Sequence, residues 1–271
     1  EQTKGNPGTK AGSLYHVESI AIAPSAPELL FVAAGTSTSA PGTLLRSRDS
    51  GASFEVTNLR VPIAGNAEYR TSERLSVHPT DAAIVLYGTR TAGLWRSADG
   101  GMNWTQVPTE QIPVADPIEK HQVGVLKVLF DSANAGRAYA SVAGRGIYRS
   151  DDAGLTWKPI LDGGLWAEDL DSAGGILYAV GKKDFGLRRY DPANGWTTIT
   201  PNKNQNLSEV AVDPANPAHI YTVTSGFQQF FRSTDSGVKW TNLGTNTLGD
   251  KGRASFQSPF GVGVASVPQE T

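Results

Sequence analysis

One eight-residue pattern, S-x-D-x-G-x-x-[W/F], occurs four times and constrains the fold of this chain more than any other feature. The copies begin at Ser47, Ser97, Ser150 and Ser233, so successive serines lie 50, 53 and 83 residues apart. The long third interval contains a degenerate copy, "LRRYDPANGWTTI" at 187–199, which keeps an Asp, a Gly and a Trp but loses the Ser-x-Asp register. Self-similarity at a regular spacing is typical of a repeat architecture.

Each copy of the pattern lies in a longer unit of four short β-like segments. In the second unit these segments are "ERLSVHPTD", "IVLYGTR", "GLWRS" and "WTQVP". Four short strands in about 40–50 residues is the period of a β-propeller blade, and no helical periodicity is sustained. The 30 glycines and 16 prolines fit a chain with frequent turns. We therefore predict an all-β fold.

The units predict a single propeller domain over residues 1–271. Five blades are expected to start near residues 14, 70, 122, 164 and 206, with a partial blade at 250–271. Because five blades do not readily close a ring, we expect the domain to be part of a six- or seven-bladed propeller.

The repeated turn is predicted to be structural. Its carboxylate, two residues after a serine, can accept hydrogen bonds from the backbone N–H groups of a tight turn. The glycine supplies a positive φ, and the aromatic residue is expected to pack between neighbouring blades. A catalytic aspartate copied four times would be unusual, so a structural role is assigned to the four box aspartates, Asp49, Asp99, Asp152 and Asp235.

Composition excludes several functional classes. The 24 basic and 26 acidic residues nearly balance, which argues against a nucleic-acid partner. No apolar run is long enough for a membrane span. There are no cysteines, the four histidines lack metal-ligand spacing, and no phosphate-binding or nucleophile motif occurs, so no metal and no cofactor are predicted. The surface, rich in Ser, Thr and Asn, favours a secreted or periplasmic location.

The pattern resembles the Asp-box, also called the bacterial neuraminidase repeat, which is found in sialidases, sortilin-type receptors, photosystem assembly factors and several glycoside hydrolases. The stretches between the boxes indicate which of these families the chain resembles most. In order, "VESIAIAPSAPELLFVAAGTSTS", "GNAEYRTSERLSVHP", "VGVLKVLFDS" and "GILYAVGKKDFGLRRYDPANGWTTITP" are similar to the N-terminal propeller of glycoside hydrolase family 74. That family comprises xyloglucanases and related endo-β-1,4-glucanases, and the resemblance covers about residues 14–243. A sialidase is rejected, because no arginine triad is recognisable.

The resemblance implies two propellers that face each other across a cleft for β-1,4-glucan or xyloglucan, with inverting hydrolysis by one aspartate from each. Neither catalytic position matches a residue here: "GTRTAG" at 88–93 lacks the Asp of the family's R-T-D-x-G-G. The leading hypothesis is one wall of such a polysaccharide cleft, with a second propeller as a possible partner domain. The alternatives are a non-catalytic propeller that binds a glycan or protein, and a protein-assembly scaffold.

Loops that enter the innermost strand of each blade, and loops between the second and third strands, are expected to lie on one face of a propeller. Aromatic rings on that face can stack on sugar rings, and polar side chains can bind hydroxyls. The residues predicted to bind substrate are Tyr69, Arg70, Arg90, Arg145, Trp166 and Phe227.

Inverting hydrolysis needs one protonated and one ionised carboxyl, roughly 6.5–9.5 Å apart. Glu73 paired with Glu168 or Asp169 is the only carboxyl set on the expected face, and these three are the catalytic candidates. Arg74, beside Glu73, is expected either to form a structural ion pair or to contact substrate.

Overall fold

The computed structural model describes residues 16–35, 41–63, 73–114, 124–162, 166–181, 184–202, 206–225 and 229–244. Within these residues, twenty strands form five separate four-stranded antiparallel sheets, each with its strands in chain order. The all-β prediction is confirmed. The predicted partial blade at 250–271 lies outside the described residues.

The sheets are numbered along the chain. Sheet 1 contains β1 (His16–Ala23), β2 (Ala26–Gly35), β3 (Thr43–Ser47) and β4 (Glu55–Val56). Sheet 2 contains β5 (Leu75–Val77), β6 (Val85–Gly88), β7 (Leu94–Ser97) and β8 (Thr105–Gln106). Sheet 3 contains β9 (Val125–Asp131), β10 (Asn134–Val142), β11 (Gly146–Ser150) and β12 (Lys158–Leu161). Sheet 4 contains β13 (Ala167–Ala173), β14 (Ile176–Gly181), β15 (Gly186–Asp191) and β16 (Gly195–Thr198). Sheet 5 contains β17 (Leu207–Val212), β18 (Ile220–Thr224), β19 (Phe230–Ser233) and β20 (Thr241–Asn242).

Successive sheets pack face to face, with their first strands side by side. β1 contacts β5, β5 contacts β9, β9 contacts β13 and β13 contacts β17. The core consists of apolar clusters between neighbouring sheets, such as Phe31 and Leu44 of sheet 1 against Val77 and Tyr87 of sheet 2. Four-stranded sheets arranged in this way around a common axis are the blades of a β-propeller.

The Asp-box turns share one hydrogen-bond pattern. In the first, the Ser47 hydroxyl donates to Asp49 Oδ1 over 2.7 Å and accepts from the Gly51 N–H over 2.8 Å. The other oxygen, Asp49 Oδ2, accepts from the Ser53 hydroxyl over 2.6 Å. Hydrogen bonds from Ser53 and Ser47 lower the pKa of Asp49 to about 2. The serine-to-aspartate hydrogen bond recurs at Asp99, Asp152 and Asp235.

The aromatic residue that ends each later box packs against the preceding sheet. Trp157 joins a buried cluster that includes Leu86 of sheet 2, and its Nε1–H donates to the Gly154 carbonyl over 3.1 Å. Trp196 keeps this role in sheet 4 although its box is degenerate, since its Nε1–H donates to the Ile160 carbonyl of sheet 3 over 2.8 Å. Phe54, in the first box, is 39% exposed because no sheet precedes it among the described residues.

In sheets 1 and 2 the arginine before the box serine links its sheet to the next one, a role that the sequence analysis did not assign. Arg46 of sheet 1 donates from Nη1 to the Gly100 carbonyl in the second box over 2.6 Å. Arg96 of sheet 2 donates from Nε to the Ala153 carbonyl in the third box over 2.9 Å. Gly100 and Ala153 follow the box aspartates and have φ values of 68° and 55°. The left-handed turn therefore presents its carbonyl to the preceding sheet.

Candidate functional site

The face at which the first strand of each sheet begins also carries the turns between the second and third strands. This follows from the antiparallel order of every sheet, which places the Asp-boxes at the opposite end. Trp166, directly before β13, and Arg145, between β10 and β11, therefore lie on the same face. We call this face the entry face.

Trp166 is a large exposed side chain on the entry face. It is 41% exposed, and a Cβ atom built on Gly144 would lie 3.6 Å from its indole Nε1, so the indole lies beside the turn of sheet 3. A Cβ atom on Gly181 would lie 2.0 Å from the Trp166 carbonyl oxygen, so only glycine permits this close approach. Arg145, in the same turn as Gly144, is also exposed. An exposed aromatic ring near a cation is suited to stacking on a sugar ring and binding its hydroxyls.

The other predicted binding residues differ from Trp166 and Arg145 in their placement. Arg90 is 3% exposed, so its side chain offers no open surface to a polysaccharide. Tyr69, Arg70 and Phe227 lie outside the described residues.

Two of the predicted catalytic carboxyls are brought together by a lysine. Glu73 precedes β5, Lys127 is the third residue of β9 and Asp169 is the third residue of β13, so three adjacent sheets contribute. The Lys127 ammonium forms an ion pair with Glu73 and lies 3.3 Å from Asp169 Oδ1. The third candidate, Glu168, is half-buried on the same strand as Asp169.

The electrostatics of this cluster favour a structural role over acid–base catalysis. The Lys127 charge lowers the pKa of Glu73, which keeps that carboxyl ionised and unsuited to be the acid. Burial alone would lower the pKa of Lys127, but Asp169 and Glu73 raise it, so the ammonium also stays charged. Asp169 Oδ2 meanwhile accepts the Val210 N–H of sheet 5 over 3.1 Å. Both carboxyls of the candidate pair thus contact Lys127, and Asp169 is also bonded to the next sheet.

Asp171, which the sequence analysis did not single out, lies two residues after Asp169 on β13. Its Oδ2 accepts the Val212 N–H of sheet 5 over 2.7 Å. Burial raises the pKa of Asp171 to about 6, with the nearby Asp169 charge adding to the effect. Asp169 and Asp171 occupy alternating positions of β13, in "AEDLDSA", and Lys127 lies within the otherwise apolar start of β9, in "VLKVLFD". Charged residues at alternating positions of an innermost strand were the available signal. We call Glu73, Lys127, Asp169 and Asp171 the axial cluster.

Arg74 forms a structural ion pair, with a partner in another sheet. Its guanidinium, 0% exposed, pairs with Glu18 of β1, whose side chain is 6% exposed. The Arg74 backbone N–H donates to the Ser19 hydroxyl over 2.9 Å. The neighbouring Glu73 points instead to Lys127. The ion-pair alternative for Arg74 therefore agrees with the geometry, across the contact between sheets 1 and 2.

The described residues contain no group of three or more His, Cys, Asp or Glu side chains placed to hold a metal ion. In the same part of the chain, no helix is long and apolar enough to cross a membrane.

Comparison with known proteins identifies relatives. The chain is 33% identical over 274 residues to "Xyloglucanase Xgh74A" of Acetivibrio thermocellus, a match that covers 85% of this chain and 32% of the relative. It is 32% identical over 271 residues to "Xyloglucanase" of Paenibacillus sp, covering 84% of this chain and 26% of the relative. The chain thus spans about a third or less of the length of these proteins. No model of a known protein family matches it.

Comparison with solved structures also identifies xyloglucanases as similar proteins. The glycoside hydrolase family 74 xyloglucanase of Xanthomonas campestris superposes with a TM-score of 0.74 at 29% identity, over 84% of this chain and 38% of that one. The family 74 enzyme of Niastella koreensis superposes with a TM-score of 0.69 at 27% identity, over 83% and 38%. A structure titled "YCF48 bound to D1 peptide", at 17% identity, shares the fold. The chain is an Asp-box propeller whose homologues are family 74 xyloglucanases.

Proposed function

We propose that the chain forms one wall of a polysaccharide cleft in a secreted, xyloglucanase-like glycoside hydrolase that acts on β-1,4-glucan or xyloglucan. The observation that carries the proposal is the exposed Trp166 beside the Arg145 turn on the entry face, in a chain whose relatives are named xyloglucanases. Trp166 is the platform for a sugar ring and Arg145 binds hydroxyl groups. The opposite wall comes from a second propeller, since the relatives are about three times as long as the matched region.

In this proposal the chain binds and positions substrate, and it does not supply the catalytic acid and base. Inverting hydrolysis requires a protonated carboxyl, and the Lys127 charge holds Glu73 in its ionised form. Asp169 is engaged by Lys127 and the Val210 N–H. A second candidate function, a propeller that binds glycan without cleaving it, is favoured by the same contacts of Glu73 and Asp169 with Lys127. The two functions differ only in whether a catalytic partner domain accompanies this one.

Binding of xyloglucan by variants at Trp166 tests the proposal. Trp166→Ala removes the stacking surface and is expected to weaken binding about fivefold to tenfold, while the thermal unfolding temperature stays unchanged. The matched control is Phe54→Ala, which removes an exposed aromatic ring at the opposite, Asp-box end of sheet 1. Affinity gel electrophoresis in xyloglucan measures both. Equal retardation of Trp166→Ala and the unsubstituted chain would contradict the assignment of the entry face.

A further inference from the structure

In sheets 1 and 3, the arginine that precedes the box serine binds a carboxylate. In sheet 1, Arg46 donates from Nε and Nη2 to Glu55 Oε1 over 2.8 and 2.6 Å. In sheet 3, Arg149 donates from the same two atoms to Asp151 Oδ2 over 3.0 and 2.8 Å. In both sheets two N–H groups of the guanidinium converge on a single carboxylate oxygen, which is a charge-assisted contact.

The equivalent arginine of sheet 2 lacks this partner. β3 pairs with β4 so that Arg46 faces Glu55, whereas β7 pairs with β8 so that Arg96 faces Thr105. Thr105 therefore stands where sheet 1 has its carboxylate. Arg96 donates from Nε to the Ala153 carbonyl, and no ion pair joins it to a carboxylate anywhere in the described part of the chain. Its Nη1 and Nη2 groups remain for another acceptor.

A cavity lies beside Arg96, at the Asp-box end of the groove between sheets 2 and 3. It has a volume of about 350 Å³, and its lining includes Arg96, Asn103, Thr105, Gln106, Pro108 and Leu155. Asp99 also lines it, but the oxygens of that carboxylate accept hydrogen bonds from Ser97, Met102 and Asn103 inside the second box. Burial lowers the pKa of Arg96, although the negative charges of Asp152 and Asp81 raise it. The lowered pKa agrees with a partly desolvated guanidinium.

We propose that this cavity binds the carboxylate of a uronic acid, the acidic form of a hexose. Arg96 takes the carboxylate as Arg46 takes Glu55, so the protein contains its own example of the contact. Thr105 and Gln106 supply hydroxyl and amide groups for the sugar hydroxyls, and Leu155, which is 59% exposed, covers the apolar face of the ring. The volume accommodates one pyranose ring with space for its neighbours.

This site is separate from the entry face and does not depend on the proposed function. Trp166 lies where first strands begin, whereas the cavity is lined by the outer strands β7 and β8 and by the Asp-box turns of sheets 2 and 3. The uronic acid can come from a free sugar or from an acidic polysaccharide, because both present the same carboxylate and hydroxyls.

The test is a titration of the ¹⁵N-labelled chain with sodium glucuronate at constant ionic strength, with glucose as the neutral counterpart and acetate as a carboxylate without a ring. We expect saturable shifts of the Thr105 and Leu155 amide signals with a dissociation constant on the order of 1 mM. Glucose and acetate are expected to bind at least about tenfold more weakly. A parallel titration with polygalacturonate distinguishes a polymeric from a free source by its affinity per sugar.

Two variants and one control make the test specific. Arg96→Gln is expected to weaken glucuronate binding at least about tenfold. Thr105→Glu places a carboxylate opposite Arg96, as Glu55 stands opposite Arg46, and is expected to abolish glucuronate binding while the fold is kept. This variant tests the role of Arg96 even if Arg96→Gln misfolds. Arg232→Gln, at the equivalent exposed position of sheet 5, removes the same charge and should bind normally.

Three results would overturn the proposal. They are unchanged glucuronate affinity in Arg96→Gln or Thr105→Glu, equal affinity of the unsubstituted chain for glucuronate and for glucose or acetate, and the absence of saturable shifts at Thr105 and Leu155.

Discussion

Sheets 1 to 3 and sheets 4 to 5 connect their innermost strands with different side chains. At the first two contacts, uncharged hydroxyls accept a backbone N–H from the next sheet: Ser19 from Arg74 over 2.9 Å and Ser76 from Phe130 over 3.1 Å. At the contact of sheets 4 and 5, the carboxylates of Asp169 and Asp171 accept the N–H groups of Val210 and Val212 over 3.1 and 2.7 Å.

This difference shows how a pair of carboxyls on an innermost strand can have a structural role. A hydroxyl accepts the hydrogen bond of the neighbouring N–H without burying a charge. Two buried carboxylates, in contrast, repel each other and need a nearby cation. Lys127 of sheet 3 supplies it, and Glu73 completes the cluster from sheet 2. The carboxylate hydrogen bonds between sheets 4 and 5 therefore involve groups that titrate, whereas the hydroxyl hydrogen bonds of Ser19 and Ser76 do not.

The largest effect is expected from removing the cation of the axial cluster. Lys127→Met leaves Glu73, Asp169 and Asp171 with uncompensated charge, so the free energy of unfolding should fall by about 3–5 kcal/mol in denaturant titrations. The control Lys158→Met removes a lysine that is 61% exposed and lies 3.4 Å from Asp151; it should cost about 0.5 kcal/mol or less. Similar losses in the two variants would remove the distinction between the cluster and a surface ion pair.

The second effect is a stability change with pH that originates at Asp171. The pKa of Asp171 is raised from 3.8 to about 6 in the folded state, so the folded chain holds a proton that the unfolded chain releases. The stability that this proton contributes is present below pH 3.8 and is lost as pH rises through 6. Glu73, whose lowered pKa contributes stability above pH 4.5, acts mainly on the acid side of that window.

Replacing the carboxyl isolates this effect. Asp171→Asn keeps an oxygen for the Val212 N–H but does not ionise, so the decline in unfolding free energy between about pH 4.5 and 6.5, about 2 kcal/mol, should disappear. Asp184→Asn, at an exposed loop position, is the control and should keep the decline. If the unfolding free energy of the unsubstituted chain does not change over this pH range, burial does not raise the pKa of Asp171.

The smallest effect is expected at a hydroxyl contact. Ser76→Ala removes the acceptor of the Phe130 N–H and should lower the free energy of unfolding by about 1 kcal/mol. Because no ionisable group takes part, the loss should be the same at pH 5 and pH 8, which urea titrations at both values can measure. A loss that varies with pH would mean that the hydroxyl contacts are coupled to the axial cluster.

The parts of the fold that the sequence could predict are those encoded locally. The four boxes predict their own turns, because the serine, aspartate and glycine that make the hydrogen bonds lie within four residues of one another. The spacing of the boxes predicts the number of sheets. Trp196 is predicted even in the degenerate copy, since its burial against sheet 3 does not require the missing serine.

The axial cluster could be predicted only in part. Placing Glu73 and Asp169 on one face follows from the order of the strands, but their bridging by Lys127 depends on the positions of three sheets relative to one another. Local sequence does not encode that distance. The burial of Arg90 is not predictable from sequence for the same reason, because a loop position indicates exposure whereas the neighbouring sheets determine it.

The most direct test of this account is to incubate the purified chain with xyloglucan and measure binding and the release of reducing ends together. The account predicts binding that depends on Trp166, without release of reducing ends, because Glu73 and Asp169 are held as partners of Lys127. Hydrolysis with inversion that is lost in Glu73→Gln or Asp169→Asn would contradict it, and would identify the axial cluster as the catalytic pair.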